Sequence, residues 1–338
     1  MPERESYISQ NGDYTGLRQD NALVVFWSER PLWSAALTEL DFIVAGLGNN
    51  GMLLVKRRNA LIRYMQDNTV LPVESARIFE RRENAPSMQK VTIDSLGQTV
   101  ILETVEQEVS REKKKFISFS KTASSERIIN IHRIISFDLE SEERHELWRF
   151  DRESSTYGSF LWDITKDGKL LAVAGTAPQE EDPRIFLTRI YLLNVAEDKS
   201  LFQINLSNVQ ARSLKINNEG EVLLHIVDGT RNEYIVIDKR GEKSFVTSPM
   251  GESRPLYFGK DLIVLELIPS RLLMFKSFDD KLVYIVDQVM YEALGFLYPA
   301  MFKANDEMVF ATVDRERYLL KRFFYSWRVN QLQDIYHK

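Results

Sequence analysis

Four histidines, His132, His145, His225 and His337, are all the imidazole chemistry this 338-residue chain offers. None stands at a metal-ligand spacing from another, and His132 and His225 fall inside apolar runs, the setting of packed strand histidines. Cysteine is absent, which excludes a thiol nucleophile, a thiolate metal site and a disulfide framework. No Gly-x-Ser-x-Gly elbow, phosphate loop or dinucleotide fingerprint occurs. Asp167-Gly168 and Asn305-Asp306 put carboxylates at chain reversals, where Asp, Asn and Gly serve to reach positive φ. The residues therefore give no local catalytic centre, no cofactor and no metal ligand set. A site assembled from single carboxylates and amides on separate repeats leaves no such motif, so a hydrolase or lactonase stays open.

Charge points elsewhere. Ser110-Arg-Glu-Lys-Lys-Lys-Phe116 and the stretch from Arg315 to Arg328 interleave basic and aromatic residues, a pattern of single-strand nucleic-acid binders. The net charge of -5 weighs against nucleic acid as a partner. A strand that buries Leu319 and Phe323 and exposes Arg322 accounts better for the second stretch. Gln179-Glu-Glu-Asp182 reads as a solvated loop.

The elements that must position any site are strands. Apolar content of 44% and charged content of 28% are those of a folded chain. Leu161-Trp-Asp-Ile-Thr-Lys-Asp-Gly-Lys-Leu-Leu-Ala-Val-Ala-Gly175 is strand, tight turn, apolar strand, and degraded copies recur. Leu32 to Gly46 aligns on it without gaps, Trp33 on Trp162 and Val44-Ala-Gly46 on Val173-Ala-Gly175. Val91 to Thr104 repeats the hairpin, as do residues 213–229. Arg127 to Asp138 and His145 to Phe150 form a second kind of hairpin, repeated over 233–247. Gly51 to Met65 fits a helix or two strands about Arg58-Asn59, and Glu74 to Ala85 has the same ambiguity.

Units starting near residues 32, 89, 161, 213, 255 and 299 each offer about four short strands. That predicts an all-β, six-bladed β-propeller, seven blades being the other count, with the ring closed by terminal strands sharing a blade. Ala22 to Trp27 and Arg317 to Trp327 are the closing candidates. Residues 1–20 read as a polar N-terminal arm and 21–338 as one propeller domain. The competing architecture is an α/β domain over 1–88 followed by a smaller β-domain.

Asp163-Ile-Thr-Lys-Asp-Gly-Lys-Leu-Leu-Ala-Val173 resembles the strand–Asp-Gly–strand signature of TolB-like and WD-repeat-like propeller units. The resemblance is clearest over residues 157–248. It departs from WD repeats in that Trp162-Asp163 opens a unit and no Gly-His pair accompanies it. It implies a fold and carries over no functional residues.

In such a fold the longest connections, near 66–88, 105–126, 151–158 and 176–188, cluster on one sector of one face. The expectation is that Arg111, Lys113, Lys114, Lys115, Phe116, Tyr157, Glu180, Glu181, Asp182 and Arg184 contact a protein partner there. The reading is a non-catalytic scaffold. Two others stay open: an enzyme with a metal or small-molecule site in the central channel, and a ligand sensor whose dry channel is lined by Trp33 and Trp162. The first ten residues lack the apolar core of a secretory signal, and no apolar run approaches a membrane span. A cytoplasmic protein with no membrane insertion is expected.

Overall fold

The computed structural model describes residues 4–19, 22–28, 30–36, 42–57, 60–67, 69–73, 86–112, 125–153, 159–179, 182, 184–228, 231–247, 252–260, 262–268, 272–277, 282–286, 301–302, 308–314 and 319–325. Within them the chain is all β, in seven antiparallel sheets. The first holds β1 (Arg4–Ile8), β2 (Tyr14–Gln19), β3 (Ala22–Trp27) and β4 (Arg30–Ala36). The second holds β5 (Phe42–Leu47), β6 (Leu53–Arg57), β7 (Ala60–Tyr64) and β8 (Val70–Val73). The third holds β9 (Ser87–Ile93), β10 (Thr99–Glu112), β11 (Ser125–Asp138) and β12 (Arg144–Glu153). The fourth is β13 (Phe160–Ile164), β14 (Leu170–Pro178), β15 (Phe186–Asn194) and β16 (Lys199–Ser207). The fifth is β17 (Gln210–Ile216), β18 (Val222–Asp228), β19 (Arg231–Ile237) and β20 (Lys243–Thr247). The sixth is β21 (Glu252–Phe258), β22 (Leu262–Ile268), β23 (Leu272–Ser277) and β24 (Leu282–Val286). The last is β25 (Met301–Phe302), β26 (Met308–Asp314) and β27 (Leu319–Tyr325).

In every sheet the strands pair in chain order, so each is a meander that needs only tight turns. Both faces of such a sheet alternate into apolar layers, and the core is those layers. Leu23, Val25 and Trp33 of the first sheet pack on Leu47, Leu53 and Val55 of the second. Leu54 and Leu61 then meet Val100, Leu102, Ile135 and Phe137 of the third. Ile101 and Ile134 meet Trp162, Leu171 and Val173. Ala172, Ala174, Ile190 and Leu192 meet Leu214, Ile216, Val222 and Leu224. Leu223, Tyr234 and Val236 meet Phe258, Ile263 and Leu265. Each of the Val, Leu and Ile side chains contributes about 1.5–3 kcal/mol by leaving water, so stability rests on sheet-to-sheet packing.

The first hairpins of successive sheets are also tied to one another. Asn11 N donates to Asn49 Oδ1 at 2.9 Å, Asn49 N to the Ser95 carbonyl at 2.7 Å, and Ser95 N to the Lys166 carbonyl at 2.7 Å. Ile216 N donates to Asp163 Oδ2 at 3.1 Å, and Asn217 Nδ2 to the Gly259 carbonyl at 2.9 Å. These bonds run in chain order from the first sheet to the sixth. Gly168 and Gly220 close two of the hairpins at φ of 74° and 79°, the left-handed region open to glycine.

Several expectations are corrected. The described residues form seven sheets where six units were read, seven being the other count. Residues 4–19 are no free arm, since β1 and β2 pair with each other and β2 with β3. Their polar appearance hides a buried run from Thr15 to Arg18, in which Arg18 pairs with Glu5 at 3.2 Å. Leu32 to Gly46 is not a copy of the 161–175 hairpin. Trp33 lies in β4, the last strand of its sheet, and Val44-Ala-Gly46 in β5, whereas Trp162 opens the fourth sheet in β13. The terminal strands share no sheet, because β3 lies between β2 and β4 while β27 pairs with β26. The described residues of 1–88 form strands and no helix, with β6 and β7 lying within Gly51 to Met65. The 66–88 loop contains β8, and the 176–188 loop shortens to 179–185. Within the 105–126 insertion β10 runs to Glu112 and β11 starts at Ser125, and residues 113–124 lie outside the described residues. Glu74 to Ala85 and Asn305-Asp306 lie outside the described residues. No helix among the described residues is long and apolar enough to cross a membrane.

Candidate functional site

Strand alternation builds a cleft between the third and fourth sheets. Val173 stands opposite Tyr191 and Gly175 opposite Arg189, which puts all four on the face turned to the third sheet. From the other side comes β12, the last strand of the third sheet. Trp148 and Phe150 alternate on one of its faces. The Trp148 ring meets the Tyr191 ring at 4.7 Å. A Cβ on Gly175 would lie 3.0 Å from the Phe150 ring, so glycine is what lets Phe150 approach the sheet. The resulting cavity of about 420 Å³ is lined by Trp148 to Asp151, Val173, Gly175, Arg189 and Tyr191.

Charge sits on the rim. Arg189 is exposed and shares the cleft face. Arg149 holds Asp151 through two bonds of 2.9 and 3.0 Å, and this bonding to Asp151 raises its pKa. Behind the cleft, Phe150 stacks on Phe160 at 5.3 Å, and Phe160 meets His132 at 5.0 Å. Buried Glu103 binds His132 Nδ1 at 2.8 Å through one oxygen and accepts the Trp162 indole N–H at 2.9 Å through the other. The cleft is therefore an aromatic slot backed by a fixed polar network, with a cation at its mouth. It can take one large apolar side chain and a neighbouring carboxylate.

Of the ten residues singled out from sequence, Arg111, Asp182 and Arg184 are described, and none of them lines the cleft. Arg111 lies in β10 opposite Glu126 of β11. Strands β9 and β12 pair only with the inner parts of those two, so Val109 and Ile128, paired and both exposed, sit on a two-stranded ribbon beyond the sheet. Lys113, Lys114, Lys115, Phe116, Tyr157, Glu180 and Glu181 lie outside the described residues. Asp182 and Arg184 are placed in the connection from β14 to β15, the strands that carry Gly175 and Arg189. There Asp182 Oδ1 accepts Arg184 N at 3.0 Å.

His132 and His225 are packed strand histidines as expected, His225 stacking on Tyr234 at 4.6 Å. Trp33 and Trp162 do not line a channel. Both are buried in layers between sheets, where Trp33 stacks on Tyr64 at 5.6 Å. Among the described residues no group of three or more His, Asp or Glu side chains is placed to hold a metal ion. Sequence reading missed Trp148, Phe150, Arg189 and Tyr191. The aromatic pair at i, i+2 on an edge strand was their one local signal.

No protein-family model matches the chain, and no curated protein matches it. Solved structures do. The Dos1 propeller is 11% identical with a TM-score of 0.50, covering 96% of this chain and 78% of that one. The Cps50 (Swd1) β-propeller domain of Myceliophteria thermophila is 9% identical with a TM-score of 0.52, covering 96% of this chain and all of that one. Acylaminoacyl peptidase from Pyrococcus horikoshii is 13% identical with a TM-score of 0.51, and this chain, 99% covered, spans 54% of its length. At such identities the likeness shows the fold alone, a β-propeller. One neighbour is a peptidase by name and two are named only as propellers, so the fold does not choose an activity.

Proposed function

We propose that this protein is a non-catalytic, cytoplasmic propeller that binds an extended segment of a protein partner in the cleft between its third and fourth sheets. The carrying observation is the slot of about 420 Å³ between Trp148, Phe150 and Tyr191, with Arg189 at its mouth. An aromatic or aliphatic anchor fits the slot, and a carboxylate beside that anchor meets Arg189. The outer edge of β12 is unpaired within its sheet and supplies backbone partners for an added strand. The β10–β11 ribbon and the turn at Asp182 and Arg184 extend the surface, and in this proposal the basic residues Lys113, Lys114 and Lys115 also contact the partner. In this proposal the seven sheets are seven blades of one ring. Its support is that β1 approaches β25 and β4 approaches β27.

Selection of a displayed random-peptide library on the full-length protein tests the reading. Enriched peptides should pair an apolar anchor with an acidic neighbour and lose binding to Trp148→Ser. Enrichment of peptides that bind Trp148→Ser equally well would contradict it.

A further inference from the structure

The cleft face of the third sheet does not stop at Phe150. Val105 pairs with His132 and His132 with Phe150. Paired residues share a face, as do residues two apart on one strand. Val109 and Ile128 pair with each other, each four residues from the Val105–His132 row, and so lie on the face that carries Trp148 and Phe150. Both are exposed, Val109 by 51% and Ile128 by 42%. One exposed aliphatic is ordinary on a protein surface, whereas two set side by side across a strand pair and in line with an aromatic slot are a feature to account for.

The fourth sheet continues in step. Trp148 meets Tyr191, and Phe150 lies against Gly175, the residue paired with Arg189. One row further in the same direction stand Ala177 and Leu187, paired with each other and half-buried. The corresponding row of the third sheet is Gln107 with Asn130. Asn130 is only 9% exposed, and its side-chain amide has no hydrogen-bond partner among the described residues. An amide held from water in this way suits a main-chain peptide group, which offers both a donor and an acceptor. A track therefore runs from the aromatic slot, past Ala177, Leu187 and the Asn130 amide, to the pair of Val109 and Ile128.

Its dimensions are those of an extended chain. Ile128 lies four strand residues beyond the row of Phe150, about 13 Å, and one strand across, about 5 Å. The diagonal is about 14 Å, and four residues of extended chain span about 13–14 Å. In such a chain every second side chain turns to the same side, so the residue four positions from an anchor faces the track as the anchor does.

We propose, on the reading of the cleft as a peptide site, that the partner segment is bipartite. Besides the anchor in the slot it carries a second aliphatic or aromatic residue, four positions from the first, that rests on Val109 and Ile128. Arg189 stands beside the slot end of the track, so the acidic residue of the segment belongs with the first anchor and not with the second.

The probe is a displayed library of random peptides selected on the full-length protein. Enriched peptides should repeat an apolar residue four positions from the anchor. Alanine at that peptide position should weaken binding to the parent protein about tenfold, the loss of one buried apolar side chain. Val109→Thr combined with Ile128→Thr should do the same, while keeping β-branched residues at exposed strand positions. Together the peptide and protein changes should cost little more than either alone, because they remove one contact. The peptide arm needs no protein variant, so the test holds even if the double variant misfolds. Peptides that depend on Trp148 yet bind the double variant as tightly as the parent, or that tolerate alanine at the second apolar position, would overturn the proposal and leave the cleft reading standing. Peptides indifferent to Trp148→Ser would overturn both, whether or not they need Val109 and Ile128.

Discussion

Glu103 and Trp162, far apart in the chain, meet across the third and fourth sheets, where the carboxylate accepts the indole N–H at 2.9 Å. The same carboxylate fixes His132, so one buried acid holds the back wall of the cleft. Replacing Trp162 with Phe keeps an aromatic ring and leaves a buried oxygen without its donor. The expected cost is about 1–3 kcal/mol, seen as a lower denaturant midpoint with unchanged slope. An unmoved midpoint would show that water replaces the indole at no cost.

Two turn glycines with the same backbone conformation should respond differently. Gly168 has φ of 74° and open space, a Cβ there meeting only Asp94 Cβ at 3.7 Å. Gly220 has φ of 79°, and its Cβ would lie 2.6 Å from Leu170 Cδ1 of the neighbouring sheet. Alanine at 168 should cost about 1–2 kcal/mol, the left-handed penalty alone. Alanine at 220 should cost more, because Leu170 must also move. Thermal midpoints of the two variants give the ranking, and a larger loss at 168 would contradict the packing of the fourth and fifth sheets.

Alkaline stability should depend on Tyr234. Burial raises its pKa to about 12, Ser253 acting against this, and its hydroxyl is 2.9 Å from Ser253 Oγ. The folded value lies above the unfolded value of about 10, so the folded state binds the proton more tightly. Its contribution is full below pH of about 10 and is lost as pH rises toward about 12, at most about 2.7 kcal/mol. Tyr234→Phe should flatten that part of the stability profile relative to the parent. Parallel profiles would mean that the phenol ionises in place without penalty.

Ring closure has its own measurement. Because the chain has no cysteine, spin labels at Ser6→Cys and Met301→Cys report only on β1 and β25. A short, narrow distance distribution is expected, and a broad, long one would mean an open array.

The sequence showed the sheets wherever a hairpin is local. Val91 to Thr104, Leu161 to Gly175 and residues 213–229 read correctly as strand, glycine turn, strand, because period-two burial and turn chemistry lie within one short window. The number of units was not legible. Trp33 in a last strand and Trp162 in a first strand sit in similar alternating patterns, and alternation does not say which strand of a sheet it belongs to. Residues 4–19 were hidden because Thr15, Gly16 and Arg18, buried together with Leu17, give no apolar signal. The cleft was least visible of all. Trp148 and Tyr191 are neighbours only through the packing of two sheets, and Gly175 acts through the side chain it lacks.

A charge swap tests the cleft reading most directly. With a selected peptide whose acidic residue flanks the anchor, Arg189→Glu should weaken binding about tenfold or more. Replacing that acidic residue with Lys should restore affinity to the variant while weakening binding to the parent. If Arg189→Glu binds the original peptide as tightly as the parent does, or if the swapped pair recovers nothing, the partner segment does not lie in this cleft.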